Sequence, residues 1–300
     1  MEFTSALPNE VPPWEVWALV AHARILATHL ARRAETIFGA QSALEIWGID
    51  AWVANPDVYL HRSGHPSART FPEVTIGRIS VPHAVMKEAC TPPPPTHIRI
   101  VGGLHVTSLE WTALQMALSA HPLEAMVAVS GILRCLSRFD RFDMTASRTR
   151  EGEWRQYLLS LLNEVGARRG TRQARAILSL ADAGCESVLE RALLWVLTPI
   201  CPPGLVTQYE VQIHGRRYFL DCALPEHKIA FEADGAGKLG LTQEEFHREK
   251  RDFLRRQQDL EDDGWTVIRV NSEDFDADSS GVLYSDSSIA PSGCSLERSA

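Results

Sequence analysis

No two of the six cysteines (Cys90, Cys135, Cys185, Cys201, Cys222 and Cys294) stand at a C-x-x-C spacing. Scattered thiols of this kind argue against a zinc site and against a disulfide framework. No apolar run reaches the roughly 18–20 residues that span a bilayer, so no membrane partner is expected. The first ten residues have neither a basic flank nor an apolar stretch. They do not read as a signal peptide, and the expected compartment is the cytoplasm. Phosphate loops of the G-x-x-x-x-G-K-[ST] kind, G-x-G-x-x-G turns and G-x-S-x-G elbows are all missing. Nucleotide-loop and serine-hydrolase chemistries therefore have no anchor here. Gly235-Ala-Gly237 lacks the spacing of a phosphate loop, the histidines form no ligand cluster, and no repeat is visible.

What is present is ordinary globular composition: 45% hydrophobic and 23% charged residues over 300 positions, enough for about two domains. The net charge of −8 disfavours a generic nucleic-acid binder, but its distribution is uneven. Acid is concentrated late, at Glu261-Asp-Asp263 and from Glu273 to Asp278. Base is concentrated at Arg168-Arg169, Arg172, Arg175, Arg216-Arg217 and between His247 and Arg256.

Residues 14–182 read as a mostly helical region with a small β component. Val20, Ile25, Leu26 and Leu30 recur at helical spacing within 14–36, with Arg24, Arg32 and Arg33 on the solvated face. A short helix through Ser42–Trp47 stops at Gly48. Val74–Ile76 and Ile98–Val101 are β-like, with Thr91-Pro-Pro-Pro-Pro95 as a stiff connector between them. Thr107-Ser-Leu-Glu110 has the form of a capping box and opens a helix. Further helices are expected over 125–136, 152–165 and 171–182. The block at 184–275 is of a different kind. A helix over Glu186–Val196 precedes a hairpin of Tyr209–Ile213 and Arg217–Ala223 around His214-Gly215. Lys228–Asp234 is a third strand, Thr242–Leu260 a long helix and Trp265–Val270 a fourth strand. The expected fold class is α/β, with the order α-β-β-β-α-β in this block. Residues 277–300 lack periodicity and predict a disordered tail.

Within that block Asp221, Glu232 and Asp234 sit in otherwise apolar strands. A carboxylate in such a place is costly unless paired, hydrogen-bonded or metal-bound. Alternation puts Ala230, Glu232 and Asp234 on one face, and the hairpin brings Asp221 within reach of them. Such an acidic cluster suits a hard cation and a phosphate.

The element order, the Asp221…Glu232-x-Asp234-Gly pattern and the closing Gly-Trp-x-Val-Ile-Arg strand resemble the PD-(D/E)XK nuclease superfamily. The likeness is to its branch related to very-short-patch-repair endonucleases and covers roughly residues 184–275. Ser187-Val-Leu-Glu190 matches the helix before the hairpin, and Arg248 to Asp252 with Leu260 matches the basic helix before the last strand. Ser42–Gly48, Val106–Thr112 and Val127–Leu133 are similar to abortive-infection antitoxin-like proteins, although Gln115 and Ser130 stand where that family carries acids. The resemblance implies a restriction-endonuclease-like fold that hydrolyses DNA with magnesium or manganese, in defence or repair. It implies Asp221 and Glu232 as ligands, with Glu190 at the outer edge of the metal site.

Alternatives remain at several positions. Asp221 is either a ligand or a strand-end cap before Leu224-Pro225. Asp234 stands where the superfamily signature has lysine, and Asp-Gly is also a common turn. Glu190 is either that outer ligand or the closing member of a capping box. The catalytic cation is either Lys238 or, on the following helix, Lys250 or Arg251. Arg248, Arg251 and Arg255 share a helix face and read either as DNA phosphate contacts or as a solvated surface. The alternative functions are a non-catalytic DNA-binding or antitoxin-like regulator that keeps the nuclease fold, and a protein-interaction module using the N-terminal region.

Overall fold

Pro13 opens the first helix, where a missing N–H would have had no intrahelical partner. The computed structural model describes residues 12–32, 36–62, 69–234, 243–277 and 283–285. Two compact units divide the chain, Met1–Arg191 and Ala192–Ala300.

In the first unit α1 (Pro13–Ala31) is followed by β1 (Ile37–Phe38), α2 (Ala40–Trp47), β2 (Val58–His61), β3 (Arg69–Phe71) and a hairpin of β4 (Val74–Ile76) and β5 (Ile79–Val81). Next come β6 (Ala84–Ala89), β7 (Ile98–Val101) and β8 (Leu104–Thr107). Six of these strands form one sheet in the order β3-β6-β2-β1-β8-β7. Phe38, Val58, Leu60, Met86 and Val106 build its core with Ile25 and Ala43 from α1 and α2. The β component is thus larger than the sequence suggested. Strand β6 reads Ala-Val-Met-Lys-Glu-Ala, largely residues that favour helices, and pairing with β2 and β3 overrides that preference. Arg24 is also not on a solvated face. It is buried, donating to Asn55 Oδ1 (2.6 Å) and the Pro82 carbonyl (2.7 Å), and so ties α1 to two loops.

Four helices complete this unit: α3 (Leu109–Ser119), α4 (Pro122–Ser137), α5 (Met144–Val165) and α6 (Thr171–Leu180). The cap of α3 is Ser108, whose Oγ accepts from Trp111 N, rather than Thr107. Thr107 ends β8, and its hydroxyl bonds Thr112 Oγ1 at 2.7 Å. α4 is buried along nearly its whole length, as a helix apolar on all sides must be.

The boundary between units falls inside α7 (Val188–Leu197), later than the sequence suggested. The second unit continues with β9 (Val206–Ile213), β10 (Arg216–Leu224), β11 (Ile229–Asp234), α8 (Gln243–Asp262) and β12 (Thr266–Asn271). Both residues of the β9–β10 turn, His214 and Gly215, have positive φ (49° and 74°), which matches the right-handed twist of a tight hairpin. β11 and β12 are parallel, so the chain needs a crossover between them, and α8 supplies it. The sheet order is β12-β11-β10-β9. Leu260 on α8 packs with Leu220, Ala223, Ala230 and Trp265. Tyr218 Oη (2.5 Å) and Arg216 (3.3 Å) both donate to Asp259 Oδ2 and fix α8 on the sheet. The segment read as a disordered tail contributes β13 (Phe275–Ala277) in part and β14 (Leu283–Ser285), which pair with each other. The rest of that tail lies outside the described residues. Among the described residues no helix is long and apolar enough to cross a membrane.

Candidate functional site

Asp221 sits at an irregularity in the sheet. The β9–β10 register runs from Leu220 opposite Tyr209 to Cys222 opposite Thr207, and the β10–β11 register begins at Cys222 opposite Phe231. Between the first two pairs stands Gln208, whose backbone is left-handed (φ 50°). Leu220 and Ala223, three residues apart, belong to one apolar cluster, so strict alternation fails across Asp221-Cys222. The Asp221 carboxylate occupies this break, accepting from the Ala233 N–H at 2.9 Å.

Glu232 is 4% exposed. Burial drives its carboxyl up to about 8, and the nearby Asp221 charge adds to the shift, against the pull of Arg256 and Arg269. Burial is the larger cause because desolvation disfavours the charged form whatever its neighbours; Asp221 then makes a second negative charge costly. Arg256 reaches in from α8. Its Nη2 donates to Glu232 Oε1 (2.8 Å) and to the Phe219 carbonyl (2.6 Å), while its Nε is buried with no acceptor among the described residues.

Asp234 faces a cation of its own. Arg269 lies beside Glu232 in the parallel register, and its Nη1 donates to both Asp234 oxygens at 3.0 and 3.1 Å. The same guanidinium stacks over the Phe253 ring at 4.1 Å. Arg256 and Arg269 were not singled out from the sequence. For Arg269 a signal was there, since it interrupts an apolar strand as Glu232 does.

The other expected residues have surroundings of their own. Glu190 belongs to the first unit and closes a capping box: its carboxylate accepts from the Glu186 (2.7 Å) and Ser187 (3.2 Å) N–H groups, and Ser187 Oγ accepts from Glu190 N. Lys250, Arg248, Arg251 and Arg255 are exposed along α8, with Arg255 paired to Asp252. Lys238 lies outside the described residues. Among the described residues no group of three or more His, Cys, Asp or Glu is arranged to hold a metal ion. Asp221 and Glu232 are the residues that could hold magnesium, which takes one or two carboxylates and completes its octahedron with water and phosphate oxygens.

No family model matches the chain, and no solved structure matches it. Two proteins of Mycobacterium tuberculosis, one from strain CDC 1551 / Oshkosh and one from strain ATCC 25618 / H37Rv, are 25% identical over 178 residues, 58% of this chain. Both carry the name uncharacterized protein. The match takes in 57% of each relative, so the chain spans a little over half the length of the curated relatives it matches.

Proposed function

We propose that the second unit is a metal-dependent endonuclease-like domain that hydrolyses DNA phosphodiester bonds. The observation that carries this reading is Glu232: a buried carboxyl, held beside Asp221, at a proton affinity far above that of an ordinary glutamate. Such an arrangement is unfavourable by itself and becomes favourable once a cation sits between the two carboxylates. The helix, hairpin, third strand, crossover helix and fourth strand give the restriction-endonuclease-like order further support. Asp221, Glu232 and the Ala233 carbonyl are the proposed ligands for magnesium or manganese. When bound, the ion would acidify a water and neutralise charge on the phosphoryl group. Arg256 orients Glu232. Arg269, held by Asp234, supplies positive charge where the superfamily signature has lysine. Nicking of supercoiled plasmid with magnesium or manganese, against the same reaction with chelator, tests this function.

A second reading, a DNA-binding regulator without catalysis, is favoured by one ion pair: Arg256 already provides Glu232 with an internal cation. Both readings need the basic face of α8. Changing Arg248, Arg251 and Arg255 together to alanine is expected to weaken DNA binding and to lower the salt slope by about 2–3, since each phosphate neutralised by an arginine adds about 0.9 to it. Fluorescence anisotropy across a salt series measures this. An unchanged slope would return these arginines to an ordinary solvated face.

A further inference from the structure

The first unit contains a cavity of about 820 Å³, within the ~300–1,000 Å³ range of small-molecule sites. Its walls come from β2, the proline-rich connector, α3 and the turn between α5 and α6. Although the chain is acidic overall, among the described residues the charged groups lining this cavity are Arg168 and Arg169, both exposed. No carboxylate of the described residues lines it. Tyr59, His61 and Trp111 supply ring surface. Trp111 is held by stacking on His97, at 4.8 Å between centroids and 25° between planes.

One end of the cavity is fixed in hydrogen-bond polarity. The Ala40 N–H can only donate, so it sets Gln115 Oε1 as its acceptor (3.1 Å). Gln115 Nε2 must then donate to His61 Nε2 (2.6 Å), and His61 Nδ1–H donates to the Thr91 carbonyl (2.7 Å). Backbone groups at both ends hold His61 as a neutral imidazole, and burial lowers its proton affinity in the same sense. Two glycines allow this packing. A Cβ on Gly39 would lie 2.9 Å from His61 Nε2, and one on Gly170 only 2.0 Å from the Leu118 carbonyl oxygen. Gly170 also has φ 87°, which glycine adopts without strain.

We propose that this cavity binds a small anion of the nucleoside-monophosphate class, with its planar base against Trp111 and Tyr59 and the phosphate at Arg168 and Arg169. Phosphate suits the arginines because guanidinium offers paired donors in a planar fork. Ring stacking on aromatics tolerates any base, so the phosphate dominates selection.

The test is calorimetric titration of the full chain, in chelator, with AMP, GMP, CMP and UMP, and with adenosine and inorganic phosphate as controls. At least one nucleotide is expected to bind, with adenosine weaker by about tenfold or more, equivalent to ~1.4 kcal/mol. The double variant Arg168→Ala/Arg169→Ala alters exposed side chains and should keep the parent melting temperature while losing about tenfold in nucleotide affinity. Binding is also expected to persist in Asp221→Asn, which separates this site from the acidic one whether or not the nuclease reading holds. Silence with all four nucleotides, equal affinity for adenosine and AMP, unchanged affinity in the double variant, or binding only of oligonucleotides would each overturn the proposal.

Discussion

Asp221→Asn is expected to leave the chain folded and to lower magnesium-dependent DNA cleavage by about 10³-fold or more. A metal ion supplies several kcal/mol of transition-state stabilisation, and each 1.36 kcal/mol is a factor of ten. Asparagine is a better probe than alanine because of the bond to Ala233. The asparagine carbonyl still accepts that N–H, whereas alanine would strand it at a cost of ~1–3 kcal/mol. Removing the charge also relieves Glu232, so the metal-free variant should be at least as stable as the parent at neutral pH. Magnesium at 100 times its dissociation constant should stabilise the parent by about 2.7 kcal/mol and leave the variant nearly unmoved. Thermal melts with and without magnesium read this directly. Unfolding of the asparagine variant would make Asp221 a structural cap.

Glu232→Gln is expected to stabilise the protein increasingly as pH rises. In the folded state the Glu232 carboxyl titrates at about 8, against an ordinary value of 4.5. Between those limits the folded chain holds a proton that the unfolded chain has released. The stability this group contributes is therefore fully present below about 4.5 and is lost as pH climbs to 8, by up to ~1.4 kcal/mol per pH unit. Glutamine does not titrate and keeps an oxygen for Arg256. Urea melts at pH 5, 7 and 9 should show parent and variant close together at pH 5 and separated by several kcal/mol, on the order of 4–5, at pH 9. A gap that does not grow with pH would mean Glu232 is ionised in the folded protein at neutral pH.

The second unit was largely legible because its signals are local. Positive-φ residues at His214-Gly215 mark the hairpin, Gly264 precedes the last strand, and β11 carries a clean apolar run around its acids. The irregularity at Asp221 was not legible, because it depends on the backbone of Gln208 in a neighbouring strand. Arg256 was overlooked for a geometric reason. It follows Arg255 in the chain but stands about 100° further round the helix, on the side of the buried Asp259 and Leu260. Arg269 required knowing that β12 pairs with β11. In the first unit, short strands such as β1, with two residues, have no periodicity to read and are defined only by their partners. The early part of α5, from Met144 to Glu151, lacks apolar spacing and so was not expected to be helical.

Nicking of supercoiled plasmid by the purified full chain tests the central claim most directly, run with magnesium, with manganese and with chelator, and repeated with Asp221→Asn. The expected result is nicking by the parent with at least one of the two metals, none with chelator and none by the variant. A plasmid left intact by the parent under every metal condition, or nicked equally by parent and variant, would contradict a catalytic Asp221–Glu232 pair.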